Sequence, residues 1–90
     1  MLATARPLRI AQPAYARMVA HCYDSLPFEA CGLLAGPPGS VDVHRAYPTR
    51  NAAGSSRVYT VDPRDHLRAD RDAEAAGLEI VGVFHSHTHT

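Results

Sequence analysis

Apolar residues in "QPAYARMVAHCYDSLP" recur at helical spacing: Tyr15, Met18, Val19, Cys22 and Leu26 stand at i, i+3, i+4, i+7 and i+11. The stripe predicts a helix with one face toward a core, opened by Pro13 in its first turn and ended before Pro27. Upstream, "PLRI" is apolar enough for a short opening strand. Downstream, "CGLLAG" is a brief apolar segment closed by the breaker cluster "GPPGS", and "VDVHRAY" then alternates apolar and polar like a half-exposed strand. The two are expected to pair as a hairpin. After the turn-rich "TRNAAGSS", the β-branched and aromatic "RVYTV" predicts a further strand over residues 57–61. Asp62 and Pro63 then form an N-cap and first-turn proline, Asp65 sits where a capping carboxylate belongs, and Gly77 stands where a glycine ends a helix. "PRDHLRADRDAEAA" is thus a second, largely solvated helix. Last, the nearly continuous apolar run "LEIVGVF" predicts a central strand covered on both faces, with Gly82 admitting a close neighbour. The order β-α-β-β-β-α-β predicts an α/β fold: a mixed sheet flanked by two helices.

Ninety residues suit one small domain over 1–90, with little core to spare and no second domain expected. Nine basic and nine acidic residues give no basic excess, which argues against nucleic acid as the main partner. No apolar run approaches the ~18 residues needed to span a bilayer. The opening "MLATARPLRI" lacks the apolar region and cleavage site of a signal peptide, so the expected setting is cytoplasmic, with no membrane partner. Cys22 and Cys31 lack the CxxC spacing of a redox or zinc pair and are read as reduced.

The sequence finishes in "FHSHTHT". In an extended chain His85 and His87 leave the same face with Cα atoms ~6.5–7 Å apart, a separation from which two imidazoles can converge on one zinc. Val81 and Val83 are expected on that face. His89 would lie ~13 Å from His85, too far to share the ion, and is not counted as a ligand. Spacing alone leaves open that the three histidines are merely solvated.

Glu29 with "CGLLAG", His85-Ser86-His87, and the Asn and Tyr-x-x-Asp-Pro elements of "NAAGSSRVYTVDP" together resemble the JAMM family of zinc metallopeptidases, also called MPN or JAB. The resemblance covers nearly the whole chain, and it is greatest to small actinobacterial members that release cysteine from the C-terminus of a ubiquitin-like sulfur-carrier protein. It implies the MPN fold and a Zn2+ ion held by His85 and His87. It also implies Glu29 as general base toward the attacking water and then general acid toward the departing amine. The family pattern adds a serine and a third, aspartate ligand further on, past Thr90, where this sequence ends. The fold is accordingly expected to be incomplete at the C-terminus, the 90 residues by themselves inactive, and the exposed edge prone to homo-oligomerise. The implied substrate is the extended C-terminal tail of a ubiquitin-like or sulfur-carrier protein, laid beside a sheet edge. The alternative is a non-catalytic scaffold of the same fold, which has no need of Glu29, His85 and His87 together.

Other residues read more plainly. Ser86 faces away from the histidines and suits packing or a backbone hydrogen bond. Asn51 suits the ordering of its loop, Tyr59 the core, and Asp62 the cap. Cys31 resembles a small buried hydrophobe. His21, His44 and His66 are too scattered to cluster.

Overall fold

The computed structural model describes residues 7–53 and 60–86. Strand β1 (Arg9–Ile10) leads into helix α1 (Gln12–Asp24), followed by β2 (Cys31–Gly36), β3 (Asp42–Val43), β4 (Arg45–Thr49), helix α2 (Pro63–Ala75) and β5 (Glu79–His85). The letters match the predicted order, but the members differ. "VDVHRAY" breaks at His44: β3 pairs in parallel with β1, and only β4 returns antiparallel along β2, from Ala35↔Arg45 to Cys31↔Thr49. The strand expected over residues 57–61 falls mostly outside the described residues; its last member, Val61, bridges Asn51.

The three-stranded sheet runs β4-β2-β5. Its centre is β2, buried at every position, and not the "LEIVGVF" strand expected there. Among the described residues β5 is an outer strand, and its Val83 is 48% exposed. A continuous apolar run cannot distinguish an outer strand under a helix from a central one, whereas the small residues of β2 admit neighbours on both sides. At Gly32 an added Cβ would meet the Phe84 ring at 2.2 Å and the Tyr47 carbonyl oxygen at 2.5 Å. A glycine there lets β5 lay an aromatic ring directly over the central strand.

Register fixes the faces. Leu34 pairs with Gly82 but Ala35 with Ile80, so Val81 is an extra residue on β5, a bulge. Val81 consequently packs against the core instead of sharing the face of Val83 and His85 as expected. That core, on the α1 side, is Ala14, Leu34, Val43, Ala46 and Phe84, with Ile10, Met18 and Cys22 at its margin. Helix α1 ends at Asp24, so Leu26 of the predicted stripe lies beyond it, and the helix is rolled: Tyr15 is exposed, and small Ala14 is the buried residue that brings the helix close.

Helix α2 covers the opposite face through buried Ala69 and Ala73. Arg45 Nη1 donates to Asp72 Oδ2 at 2.7 Å, and the Tyr47 hydroxyl bonds the same oxygen. Its start follows the sequence, since Asp62 Oδ1 accepts from the backbone N–H groups of Arg64 and Asp65 at 2.9 and 3.1 Å. Gly77, at φ +75°, ends it as predicted, and Leu78 N–H returns to Ala73 O at 2.8 Å. No helix among the described residues is long and apolar enough to cross a membrane.

Candidate active site

Glu29 lies just before β2 and is the buried acid among the described residues, 6% exposed. Its position is set from both flanks. On one side, Ala30 N–H donates to Ser86 Oγ at 2.8 Å while Ser86 N–H donates to Ala30 O at 3.0 Å. This pair of bonds, one through the Ser86 side chain and one through its backbone, continues the register Cys31↔His85 and ties the approach to β2 to the end of β5. Ser86 therefore plays the backbone-bonding part its sequence position suggests. It also lies in hydrogen-bonding reach of the Cys22 thiol, whose pKa burial pushes up. On the other side, Asn51 Nδ2 donates to the Glu29 carbonyl oxygen at 2.9 Å.

Phe84 determines where His85 points. The ring is buried over Gly32 and meets His21 edge-on, centroids 6.3 Å apart at 85°. Alternation along β5 then turns His85 to the opposite face, where it is exposed beside Cys31. Glu29 and His85 thus stand at the same end of the sheet. His87 and His89 lie outside the described residues, as does Tyr59. Among the described residues no three His, Cys, Asp or Glu side chains converge as a metal cluster.

A cleft of about 580 Å³ opens at this end, between the C-terminal end of α1 and the first turn of α2. Glu29, His21, Phe28, Thr49, Asn51 and Asp65 are among its walls. The Glu29 carboxylate accepts no hydrogen bond among the described residues, and no fully buried side-chain oxygen there lacks a partner. Its oxygens therefore reach the cleft surface.

Two residues that sequence reasoning set aside shape the cleft. His21 Nε2 lies 3.1 Å from the carbonyl oxygens of both Cys31 and Thr49, so this nitrogen carries the hydrogen and pins the ends of β2 and β4 to α1. The available signal was its spacing from Ala14 and Met18, which puts it on the buried face. Asp65 does not close a capping box. Arg50 binds it with its backbone N–H at 2.8 Å and its guanidinium at 3.3 Å, and with Arg68 nearby this holds the Asp65 carboxyl down to about 2. Cys31 is fully buried, its thiol pKa raised by that burial, and its Sγ lies 3.4 Å from Thr49 Oγ1, as suits a packed small residue.

A sequence model of prokaryotic homologues of the JAB domain matches residues 11–90. This chain belongs to that JAB-domain family. It is 44% identical over 73 residues to the CysO-cysteine peptidases of Mycobacterium tuberculosis and Mycobacterium bovis, an overlap of 81% of this chain and 50% of each relative. The desampylase of Haloferax volcanii is 40% identical over 62 residues, 68% of this chain and 45% of that protein. A Desulfitobacterium hafniense protein solved in solution superposes with a TM-score of 0.82 at 38% identity, over 92% of this chain and 58% of that one. The JAB-domain chain described here therefore spans about half the length of the curated relatives it matches, and its mixed α/β architecture is that of the family.

Proposed function

We propose that these residues are the N-terminal portion of one JAB-type catalytic domain that hydrolyses an amide bond at the C-terminal tail of a ubiquitin-like or sulfur-carrier protein. The observation that carries the reading is buried Glu29, its carboxylate open to a cleft and its backbone tied beside the strand end that bears His85. The named activities of the CysO-cysteine peptidases and desampylases support the same reaction class.

The donor set fits zinc in kind. His85 offers an imidazole at the end of β5, and His87 follows Ser86 directly in the sequence, with an acid held at the same sheet end. When bound, zinc supplies Lewis acidity toward the amide carbonyl and makes an attacking water more acidic. His85 and His87 serve as two of its ligands. Glu29 takes a proton from the attacking water on a carboxylate oxygen and passes it to the leaving amine nitrogen. The Ala30–Ser86 pair and the Asn51 amide hold the backbone from which that carboxylate projects. Among the described residues, outer strands β4 and β5 offer edges along which an extended tail can lie. Two free thiols support a reducing, cytoplasmic setting.

The test is to incubate the longest polypeptide the gene encodes with a ubiquitin-like protein carrying one residue beyond its Gly-Gly tail, and to follow the mass. Loss of that residue, abolished by EDTA and restored by zinc, is expected. Absence of cleavage with zinc present contradicts the proposal. A polypeptide limited to these 90 residues has both histidines without the family's aspartate, and is expected to hold metal weakly and turn over little.

A further inference from the structure

Among the described residues, the Asn51 side chain joins three backbone groups. Nδ2 donates to the Glu29 carbonyl oxygen at 2.9 Å, while Oδ1 accepts from Ala53 N–H at 3.0 Å and from Thr60 N–H at 2.9 Å. Amide orientation is fixed by its partners: a carbonyl oxygen can only accept and two N–H groups can only donate. One flat, short group thus binds the backbone of the acid at the mouth of β2 and both ends of the 53–60 segment.

The junction itself is anchored. Ala52 N–H donates to Thr60 O at 2.7 Å and Asp62 N–H to Arg50 O at 3.0 Å, so residues 50–52 are laced to residues 60–62. Arg50 in turn is clamped by Asp65 in the first turn of α2. The Asn51 Cα is therefore held by its own strand bridge to Val61 without help from its side chain. Closing the loop accounts for the Oδ1 bonds. It does not account for the Nδ2 bond, which spans 22 residues to the one buried acid in the cleft.

We infer that Asn51 is a positioning residue for Glu29: its amide fixes the backbone from which the carboxylate projects. The inference rests on the proposed peptidase reading. A proton acceptor must sit within hydrogen-bond reach of the water it deprotonates, and a displacement of about 1 Å can cost on the order of a hundredfold in rate. The effect of Asn51 on the chemistry runs through the Glu29 backbone it bonds.

Asn51→Asp separates the two roles. Aspartate keeps an oxygen for Ala53 N–H and Thr60 N–H, but it replaces the donor facing Glu29 O with a second acceptor. In the longest gene product, kcat is expected to fall at least about tenfold with KM and the unfolding midpoint near wild type. The Glu29 carbonyl carbon-13 resonance should also shift as its hydrogen bond is lost. Where Asn51→Asp folds poorly, Asn51→Ser, too short to reach Glu29 O, is read in the same assays with the same expectation. Wild-type kcat in a folded variant overturns the positioning role and leaves the peptidase reading standing. A wild-type protein that cleaves nothing overturns both.

Discussion

Helices α1 and α2 are each 13 residues long and cover opposite faces of one sheet, yet they are attached by different chemistry. Helix α1 has neither a side-chain N-cap nor a first-turn acid, and holds on through Ala14 and the apolar cluster of Leu34, Val43, Ala46 and Phe84. Helix α2 is capped by Asp62 and tied down by Asp72 to Arg45 and Tyr47 and by Asp65 to Arg50. Burial of apolar area is worth far more than partly exposed ion pairs. The α1 face therefore holds the larger apolar cluster, whereas the α2 face adds a few buried residues, Leu33, Ala69 and Ala73 among them, and places the Arg50–Asn51 segment at the mouth of the cleft.

The largest effect should come from the apolar side. Leu34→Ala, at 3% exposure, is expected to cost about 3 kcal/mol and lower the thermal midpoint by roughly 10 °C or more. A loss below about 1 kcal/mol in urea titration would show that the two faces contribute alike. Next is Gly32→Ala, whose Cβ would strike both the Phe84 ring and the Tyr47 backbone. Because the backbone cannot swing aside, the cost should be about 2–3 kcal/mol. Amide exchange should quicken along β5 as the ring that orients His85 is displaced.

The polar face is expected to show itself through pH. Asp65 titrates at about 2 in the fold, below its ordinary 3.8, so its contribution is full above the ordinary range and is lost as pH falls toward 2. Acid unfolding should steepen over that window, by at most about 2 kcal/mol, and Asp65→Asn should flatten it. An unchanged acid limb in the variant would remove Asp65 from the account. The smallest effect belongs to Arg45→Ala. It breaks an ion pair exposed on both sides, and should leave the urea midpoint close to wild type.

The difference between the faces also explains what the sequence could reveal. The α2 boundaries were legible because Asp62, Pro63 and Gly77 act on their own neighbours. The roll of α1 was not, since Tyr15 is as apolar as the residues that face inward, and only the sheet beneath decides which side is buried. The central place of β2 was hidden for a related reason: Gly32 matters through the Phe84 ring laid over it. Glu29 and His85 were singled out by resemblance, and the fold brings them to one sheet end, but spacing could not show that Asn51, remote in sequence, bonds the Glu29 backbone.

The central claim is that Glu29 moves the proton. Its most direct test is Glu29→Gln in the longest gene product, which keeps the shape and removes the base. With zinc supplied and folding confirmed by an unchanged thermal midpoint, kcat on the extended ubiquitin-like substrate should fall by about a hundredfold or more while KM stays near wild type. Hydrolysis at the wild-type rate would contradict the assignment.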